Sequence, residues 1–377
     1  MSLRDFKSAT DRRNFLEKKL KIDLKNISQS FFTDENTAGS IENLIGSAHI
    51  PLGVAGPLKL RTTNFELRTH YIPLATTEGA LLASVSRGCK AVTESGGVEV
   101  FVENVGITRG PVFTGKTLRD CINGKNWLAE NFKDIAKITE STSHHLKLKK
   151  IEPIVIGKNL FTRFYFDSQD AMGMNMATIA LQQVIGFIEK NTKLECVSIA
   201  GNYDIDKKPA WLNFINGRGK RVWAEAIIKR KIVKEILKTT PEEISEVVYR
   251  KCQLGSLAAG AIGFNAHYAN IISSLFIATG QDPSQVVEAS LGVTTAEVTK
   301  KGDLQFSIYM PSLLVGTVGG GTKLPTQRES LQILGVSSVL EYSQVVAAAV
   351  LAGELSLIAS LSENSLAKAH QKLGRKK

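Results

Sequence analysis

The feature that most constrains the fold is an alternation of strand-like and helix-like segments between about residues 98 and 200. Short β-branched and aromatic runs predict strands, and longer amphipathic runs predict helices. The predicted order is strand Val98–Val105, helix Leu118–Thr139, strands Leu146–Ile156 and Asn159–Phe166, helix Asn175–Lys190 and strand Leu194–Ile199. This βαββαβ order is that of a ferredoxin-like unit. No Gly-x-Gly-x-x-Gly follows a strand, which argues against a Rossmann domain.

A second long segment, Leu254–Gln281, contains no Lys, Arg, Asp or Glu and is long enough to span a bilayer. It also holds Asn265, His267 and Asn270 together with four glycines. Buried polar groups find hydrogen-bond partners inside a protein more readily than in lipid. We therefore predict a buried core helix, and we interpret His267 as a core histidine with its hydrogen bonds satisfied.

Helical periodicity recurs in Thr76–Glu94 and in the apolar stretch Gln344–Leu361, and Val222–Ile228 predicts a further strand. Together with the βαββαβ unit, these segments predict an α+β fold.

The charge balance allows several kinds of partner. The net charge of +11 and the pI near 9.4 favour anionic partners, which include nucleic acids, membrane surfaces and polyphosphate ligands. The basic cluster of Lys147, Lys149 and Lys150 has no nucleic-acid-binding motif beside it and fits a solvated surface.

The four cysteines form no Cys-x-x-Cys pair, so the sequence indicates neither a metal site nor a disulfide framework. The segment Met1–Asp23 is rich in charge and lacks the apolar core of a signal peptide. Both observations predict a soluble protein of the reducing cytoplasm, without membrane association.

The run Gly201–Ala210 combines Asp206, Lys207 and Lys208 with a proline at 209. The proline disfavours helix before it and ends any regular element, so the charges lie on a shaped loop. A lysine in such a loop is suited to polarise a carbonyl or to neutralise an oxyanion. On its own, the segment also fits an exposed turn.

Three other segments join this loop in one pattern. The four are Leu74–Ala80 (LATTEGA), Ile205–Lys208 (IDKK), Ala278–Asp282 (ATGQD) and Leu366–His370 (LAKAH). Together they resemble the catalytic segments of the 3-hydroxy-3-methylglutaryl-coenzyme A (HMG-CoA) reductase family. The resemblance extends from about Glu42 to His370, with its motifs in the family's order, and it covers the soluble catalytic domain only. The Met-Gly-Met-Asn string at residues 172–175 is similar to the class I branch.

The resemblance implies a large mixed domain around a buried central helix, with the ferredoxin-like unit inserted as a small domain that binds the nicotinamide cofactor. The expected divisions are an N-terminal helical segment at residues 1–41, the large substrate-binding domain at 42–110 and 201–377, and the small domain at 111–200. It also implies a homodimer or homotetramer with active sites between subunits.

The resemblance assigns catalytic roles to four residues. Lys207 stabilises the carbonyl oxygen, Glu78 donates a proton to the aldehyde intermediate, and Asp282 tunes both groups. His370 protonates the departing coenzyme A thiolate, a step suited to a pKa near neutrality. Taken alone, Glu78 also fits a helix N-terminus, Asp282 a loop acid and His370 a surface histidine.

The remaining site residues are expected to bind ligands. The substrate group comprises Arg109, Asp206, Lys208, Lys251 and Asn270, with Ser84, Arg87 and Lys238 for coenzyme A. The cofactor group comprises Asp170, Met172, Gly173, Met174 and Asn175, with Ser143, His144 and His145 near the 2′-phosphate. Ser84 and Arg87 are expected one turn apart on a helix that begins near Glu78, facing one anionic group together. The methionines also fit core packing.

Three departures from the family pattern affect these assignments. Ala200 replaces a substrate-binding serine, and Ser86 replaces an asparagine at the coenzyme A site. His144 and His145 stand where an arginine is expected, and neutral imidazole holds phosphate less strongly than guanidinium. The resemblance implies NADPH as the cofactor, the two histidines weaken that preference so that NADH is also possible, and no metal is expected.

The function that the sequence predicts is the NADPH-dependent reduction of HMG-CoA to mevalonate. Two alternatives stay open here. One is an NAD(P)H-dependent reductase of a different acyl-coenzyme A, which the Ala200 departure allows. The other is a non-catalytic basic protein that binds nucleic acid, in which case binding would depend strongly on salt.

Overall fold

The computed structural model describes residues 2–61 and 66–363. The strands are β1 (Leu52–Arg61), β2 (Leu67–Ala75), β3 (Val98–Arg109), β4 (Val112–Thr114), β5 (Lys147–Ile156), β6 (Asn159–Asp167), β7 (Glu195–Ser198), β8 (Gly219–Ile228), β9 (Val293–Val298) and β10 (Leu304–Leu313). The helices are α1 (Ala9–Leu20), α2 (Lys25–Ser28), α3 (Leu81–Glu94), α4 (Leu118–Glu130), α5 (Phe132–Thr142), α6 (Met174–Asn191), α7 (Trp211–Asn216), α8 (Arg230–Ile232), α9 (Pro241–Val247), α10 (Ser256–Ala258), α11 (Tyr268–Thr279), α12 (Val286–Ala289), α13 (Pro325–Leu334) and α14 (Val339–Ser362). Short 3₁₀ turns lie at Leu3–Asp5, Pro283–Gln285 and Gly320–Lys323, and π-helical turns at Val233–Leu237 and Val248–Gly255.

The ferredoxin-like arrangement is confirmed by strand pairing, but the predicted first strand Val98–Val105 is wrong, because that segment pairs with β8 and β1 of the large sheet and the unit's first strand is β4. The small sheet has the order β7–β4–β6–β5 with antiparallel neighbours, and the end of β3 also pairs with β6 before the chain continues into β4. Helices α4, α5 and α6 contribute Cys121, Ile135 and Leu181 to the apolar core beneath this sheet. The unit thus places the start of α6 at a fixed point beside β3.

The predicted single helix Leu118–Thr139 is wrong, because the chain forms two helices that meet at Asn131. The Asn131 side chain donates to the carbonyl of Trp127 at 2.9 Å. An asparagine that bonds the preceding turn in this way competes with the helical backbone ladder and ends the helix.

The large sheet has the order β9–β10–β8–β3–β1–β2, in which β1 and β3 are parallel and the other pairs antiparallel. Helix α14 packs against this sheet together with α3 and α11, and most of its side chains are buried. The predicted large mixed domain around a buried central helix is therefore confirmed. Its apolar core is separate from that of the small sheet.

Within the described residues, α14 is the one helix long and apolar enough to cross a membrane. Of its most apolar window, 83% is buried inside the protein. Core helices of soluble proteins have the same length and composition, so its burial explains its apolar character.

The predicted continuous helix over Leu254–Gln281 is wrong. The chain leaves helical conformation after α10, passes a left-handed Gly260 and begins α11 at Tyr268. The buried Glu354 carboxylate on α14 accepts bonds from the backbone N–H groups of Ala266 and His267. A tertiary partner therefore stabilises the break, which hydrophobic composition alone does not reveal.

Candidate active site

A cleft of about 650 Å³ opens between the start of α6 and the loops that precede α7 and α12. Eight of the residues singled out in the sequence line it: Arg109, Met172, Gly173, Met174, Asn175, Asp206, Lys207 and Asp282. The glycines of residues 316–321 form another wall. The structure thus brings residues from five separate segments of the chain to one concave site.

The loop that carries Lys207 has an unusual backbone. Ile205 has φ 49° and Lys207 has φ 59°, so both lie in the left-handed region that side chains with a Cβ rarely adopt. This turn directs the Lys207 ammonium to Asp282, with Nζ 2.9 Å from Oδ2. The neighbouring Lys208 ammonium instead donates to the carbonyl of Asp206 at 3.0 Å.

Asp282 caps the 3₁₀ turn that precedes α12. Its Oδ1 accepts from the Ser284 backbone N–H at 3.0 Å and from the Ser284 hydroxyl at 2.5 Å, which leaves Oδ2 for Lys207. Burial acts to raise the pKa of Asp282, but the bonds from Ser284 and Lys207 outweigh it, and the pKa lies below its ordinary value. Asp282 is therefore an anion at neutral pH and balances the ammonium.

Glu78 lies before helix α3, not on it as the sequence predicted. The helix begins at Leu81, because Ala80 is left-handed and Glu78 forms a turn in which its N–H donates to Thr76 Oγ1 at 3.0 Å. The Glu78 carboxylate accepts from the Asn270 side-chain amide at 2.8 Å. These two predicted site residues therefore meet, although they are 192 positions apart.

His267 caps α11 one turn before Asn270, and its Nδ1 lies 3.1 Å from the Glu354 carboxylate. Its side chain is 10% exposed. The interpretation as a satisfied core histidine agrees with this geometry.

Arg109 enters the cleft from the end of β3, with Nη1 3.7 Å from Asp204 Oδ2. Asp204 is 1% exposed, and burial raises its pKa although the Arg218 and Arg109 charges oppose the rise. Sequence reasoning missed Asp204. Its place two residues before Asp206 in the same charged loop was the available signal.

An ion pair below the Lys207 loop was also missed. Arg218 Nη1 lies 2.8 Å from Glu288 Oε1, and both side chains are 0% exposed. Arg218 also lies 3.1 Å from Asp206 Oδ1. Nothing in the sequence pattern marks either residue, because Arg218 follows a plain glycine turn and Glu288 lies on a four-residue helix.

The residues predicted to hold the cofactor surround the N-terminus of α6, where Gly173 is left-handed. Gly316 packs so closely that an added Cβ would lie 2.5 Å from the Met172 nitrogen, whereas Gly319 and Gly320 face open space. The first backbone N–H groups of this long helix are free of intrahelical partners and lie at the cleft. This wall fits a polar, partly anionic dinucleotide.

Asp170 differs from its neighbours, since its carboxylate accepts from the Val339 backbone N–H at 2.8 Å at the start of α14. Of the three residues expected near the 2′-phosphate, Ser143 contacts Met176 at 3.6 Å and His145 Nδ1 lies 2.7 Å from Gln169 Oε1. His144 is exposed beside them.

Ten of the predicted ligand residues that the structure describes lie outside the cleft lining, as does Glu78: Ser84, Arg87, Lys238, Lys251, Lys208, Asn270, Asp170, Ser143, His144 and His145. Ser84 and Arg87 both donate to the Ser356 hydroxyl of α14 at 3.0 Å. They do face one group together, and in this structure that group is a serine. Lys238 and Lys251 are exposed, and His370 lies outside the described residues.

Ala200 is exposed, and its N–H donates to the Ser198 hydroxyl at 3.2 Å. A serine hydroxyl is thus present two residues from the position where the family pattern has one. Within the described part of the chain, no three His, Cys, Asp or Glu side chains form a group that could hold a metal ion.

Comparison with known proteins places this geometry in context. Residues 8–375 match the family model described as hydroxymethylglutaryl-coenzyme A reductase. The chain is 49% identical to the HMG-CoA reductase of Methanocaldococcus jannaschii, over 98% of this chain and 93% of that protein. It is 48% identical to the HMG-CoA reductase of Pyrococcus abyssi, over 98% and 94% of the two chains.

Among solved structures, the chain resembles a class II HMG-CoA reductase of Streptococcus pneumoniae bound to NADPH. The TM-score is 0.72 and the sequence identity 18%, over 96% of this chain and 100% of that one. At this identity the likeness is one of fold.

Proposed function

This chain belongs to the hydroxymethylglutaryl-coenzyme A reductase family, and we propose that the cleft containing Lys207 and Asp282 is its active site. The enzyme reduces HMG-CoA to mevalonate and coenzyme A with two molecules of NADPH, a step of the mevalonate pathway of isoprenoid biosynthesis. The observation that carries the assignment of the site is the ion pair of 2.9 Å between these two residues beside the α6 N-terminus.

Lys207 is the proposed electrostatic catalyst. Reduction of a thioester to an alcohol passes through two states with negative charge on a carbonyl oxygen, and a fixed cation stabilises both. Asp282 keeps the ammonium oriented when no oxyanion is present. The positive φ of the loop supports this role, because strained backbone is often retained at functional sites.

Proton transfer is assigned to two further residues. Glu78 protonates the alkoxide of the aldehyde step, and Asn270 fixes its carboxylate through the bond of 2.8 Å. His370 protonates the coenzyme A thiolate, as the resemblance in sequence implies. A neutral thiol leaves more readily than a thiolate that is held in a site of low dielectric.

Substrate binding is assigned by charge. Arg109, Asp206 and Lys208 hold the hydroxymethylglutaryl group, since Arg109 and Asp206 line the cleft and Lys208 lies next to Lys207. Lys251 is proposed as a further substrate contact, and Ser84, Arg87 and Lys238 as the coenzyme A group. The positive charges of Arg87 and Lys238 match the phosphates of coenzyme A.

The cofactor is NADPH, which supplies hydride when it is bound. We propose that Met172, Gly173, Met174 and Asn175 line its nicotinamide end and that Asp170 orders this stretch through its bond to Val339. The open glycines at 319 and 320 leave room for the ligand's approach.

A stoichiometric measurement tests the function. Two equivalents of NADPH are expected to be oxidised for each free coenzyme A thiol released from HMG-CoA, because both hydride transfers occur before product leaves. The measurement pairs absorbance at the nicotinamide band with a thiol reagent. A ratio of one with accumulated aldehyde would contradict the assigned reaction. Other acyl-coenzyme A thioesters serve as competing substrates and test the alternative that Ala200 left open.

A second experiment tests the 2′-phosphate assignment. The His144→Arg variant is expected to raise the ratio of kcat/KM for NADPH over NADH, because a charge-assisted contact contributes about 1.5–3 kcal/mol. The position is supported by the contact between Ser143 and the cleft residue Met176. His49→Arg is the matched control, since His49 is exposed and lies outside the cleft lining. An unchanged ratio in His144→Arg would place the phosphate elsewhere.

We further propose the domain divisions 1–41, 42–110 with 201–377, and 111–200, which the two separate apolar cores support. The class I branch is supported by the Met-Gly-Met-Asn string. A cytoplasmic location is supported by the burial of α14. The nucleic-acid alternative has no comparable support, since the chain belongs to an oxidoreductase family.

A homo-oligomer with active sites between subunits is proposed as well. Phe101 on β3 lies directly opposite Trp223 on β8, and these side chains are 55% and 39% exposed. Aromatic side chains exposed together on a sheet face are typical of interfaces. Analytical ultracentrifugation measures the oligomeric state.

A further inference from the structure

The buried ion pair below the catalytic loop is connected to the backbone of Lys207 itself. Glu288 Oε1 accepts a hydrogen bond from the Lys207 backbone N–H as well as from Arg218. The pair is therefore bonded to the residue whose ammonium faces Asp282. Neither Glu288 nor Arg218 has a role in the mechanism described above.

We propose that Glu288 and Arg218 are positioning residues that hold Lys207 in its left-handed turn, so that its ammonium is fixed at the reacting carbonyl oxygen. This inference rests on the proposed catalytic role of Lys207. It concerns the same reaction and adds residues that act through Lys207 without touching the substrate.

Ile205 and Lys207, two of the left-handed residues of the loop, are bound to one network. The Asn213 side-chain amide donates to the carbonyl of Ile205 and to Glu288 Oε2, each at 3.0 Å. Lys207 is held by Glu288 directly. A left-handed backbone is unfavourable for residues with a Cβ and persists only where surrounding hydrogen bonds hold it. Here those hydrogen bonds lead, directly or through Asn213, to the Glu288 carboxylate.

The Glu288 carboxylate is anchored on every side. Ser312 of β10 donates to Oε2 at 3.1 Å, in addition to the bonds from Asn213, Arg218 and Lys207. Burial raises the pKa of Glu288, and the Arg218 charge and the Lys207 N–H oppose that rise. All four partners of Glu288 are hydrogen-bond donors, namely a guanidinium, two amide groups and a hydroxyl. The ionised carboxylate can accept from all of them, so none of these bonds requires Glu288 to be protonated.

Arg218 extends the network toward both ligands. Its Nε donates to Thr108 Oγ1 at 2.7 Å, next to Arg109, and its Nη2 lies 3.2 Å from the Met174 sulfur at the start of α6. Its bond to Asp206 reaches the loop at the residue before Lys207. The Arg218 guanidinium thus links the loop that carries Lys207, strand β3 and the start of α6.

The ordinary alternative is that the pair serves only global stability, as many buried ion pairs do. The two interpretations differ in what they predict for the loop. If the pair is only structural, its removal lowers the melting temperature and leaves the turnover of the folded enzyme intact. If the pair positions Lys207, its removal lowers turnover even where the folded fraction is unchanged.

The Glu288→Gln variant tests the proposal in the full-length enzyme. We expect kcat to fall by about tenfold to a hundredfold, the scale of an ångström-sized misplacement, while the KM for NADPH changes by less than about threefold. Hydrogen exchange at the Lys207 amide, followed by mass spectrometry of peptides covering 203–210, is expected to accelerate. Glu152→Gln is the matched control, since this carboxylate accepts side-chain bonds from Lys150 and Tyr165 and lies outside the cleft lining.

A double-mutant cycle separates positioning from structure. In the Lys207→Ala background, Glu288→Gln is expected to cause no further loss of kcat, because the group that it positions is absent. An additive loss, or a kcat for folded Glu288→Gln equal to that of Glu152→Gln, would overturn the inference. If Glu288→Gln does not fold, Arg218→Lys carries the same test, since it keeps the charge and loses the fork.

Failure of the proposed function gives a different result. If Lys207→Ala retains wild-type kcat, the catalytic assignment of Lys207 fails, and the positioning role falls with it. Faster exchange at the Lys207 amide in Glu288→Gln would then report only that the carboxylate orders the loop. If Lys207→Ala loses activity and the exchange rate in Glu288→Gln is unchanged, the positioning inference fails while the catalytic assignment stands.

Discussion

Replacement of Lys207 by alanine is expected to lower kcat for HMG-CoA reduction by about 10²–10³-fold, the scale for loss of one preorganised oxyanion donor. The ammonium is the group that Asp282 orients at 2.9 Å, and its removal leaves the developing negative charge without its cation. Alanine also carries a Cβ, so the steric strain of the left-handed φ of 59° at this position is the same in the wild type and in the variant. The loss is therefore attributable to the charge.

The measurement is steady-state turnover of HMG-CoA, with NADPH affinity determined separately by cofactor fluorescence. The Kd for NADPH is expected to change little, since the proposed cofactor residues at the start of α6 are unchanged in this variant. Lys137→Ala is the matched control, because that lysine is 78% exposed on α5 and pairs only with Asp134 in the described structure. A kcat within about threefold of wild type for Lys207→Ala would remove this lysine from the mechanism.

The second large effect is expected at Glu78. Glu78→Gln keeps the size of the side chain and an oxygen that can accept from Asn270, but it removes the transferable proton. Turnover is expected to fall by about 10²–10⁴-fold, the range for loss of a general acid. The loss is expected with HMG-CoA and also with free mevaldehyde, because the alkoxide forms in both reactions.

His370→Gln distinguishes the two acids. It is expected to lower turnover of the thioester by about 10²-fold and to spare mevaldehyde, which releases no thiolate. Glu94→Gln, at the far end of α3, is the control for a surface carboxylate, since Glu94 is 44% exposed and forms an i,i+4 pair with Lys90. Equal losses on both substrates in His370→Gln would mean that this histidine does not protonate the leaving group.

Local pattern was sufficient for much of the fold. The strand and helix periodicities between residues 98 and 200 predicted the order of the βαββαβ unit, because β5, β6 and β7 pair within it and most of its elements are amphipathic. They misplaced its first strand, since β3 pairs mainly with β8 of the large sheet. The same reasoning failed at Asn131 and at residues 259–267. There a side-chain bond and a distant carboxylate decided where the helices end.

The candidate site was predicted only in part for a similar reason. The sequence predicted Lys207, Asp282, Glu78 and Asn270 as members of one site. The structure brings Lys207 into contact with Asp282, and Glu78 into contact with Asn270. The helix start near Glu78 was wrong because a left-handed Ala80 is not visible in a hydrophobic pattern. The shared contact of Ser84 and Arg87 with Ser356 required the packing of α3 on α14.

The sequence by itself determined the family, the reaction and the identity of the charged loop, because these depend on residue types in a fixed order along the chain. Only the tertiary structure revealed that Glu288 and Arg218 lie beneath Lys207, 70 residues apart from each other in the chain. A buried ion pair has no periodicity and no local motif, since its partners are selected by the three-dimensional packing of β3, β8, β10 and α12. The physical reason is desolvation: a charge excluded from water must have a partner, and only the folded chain specifies which partner is within reach.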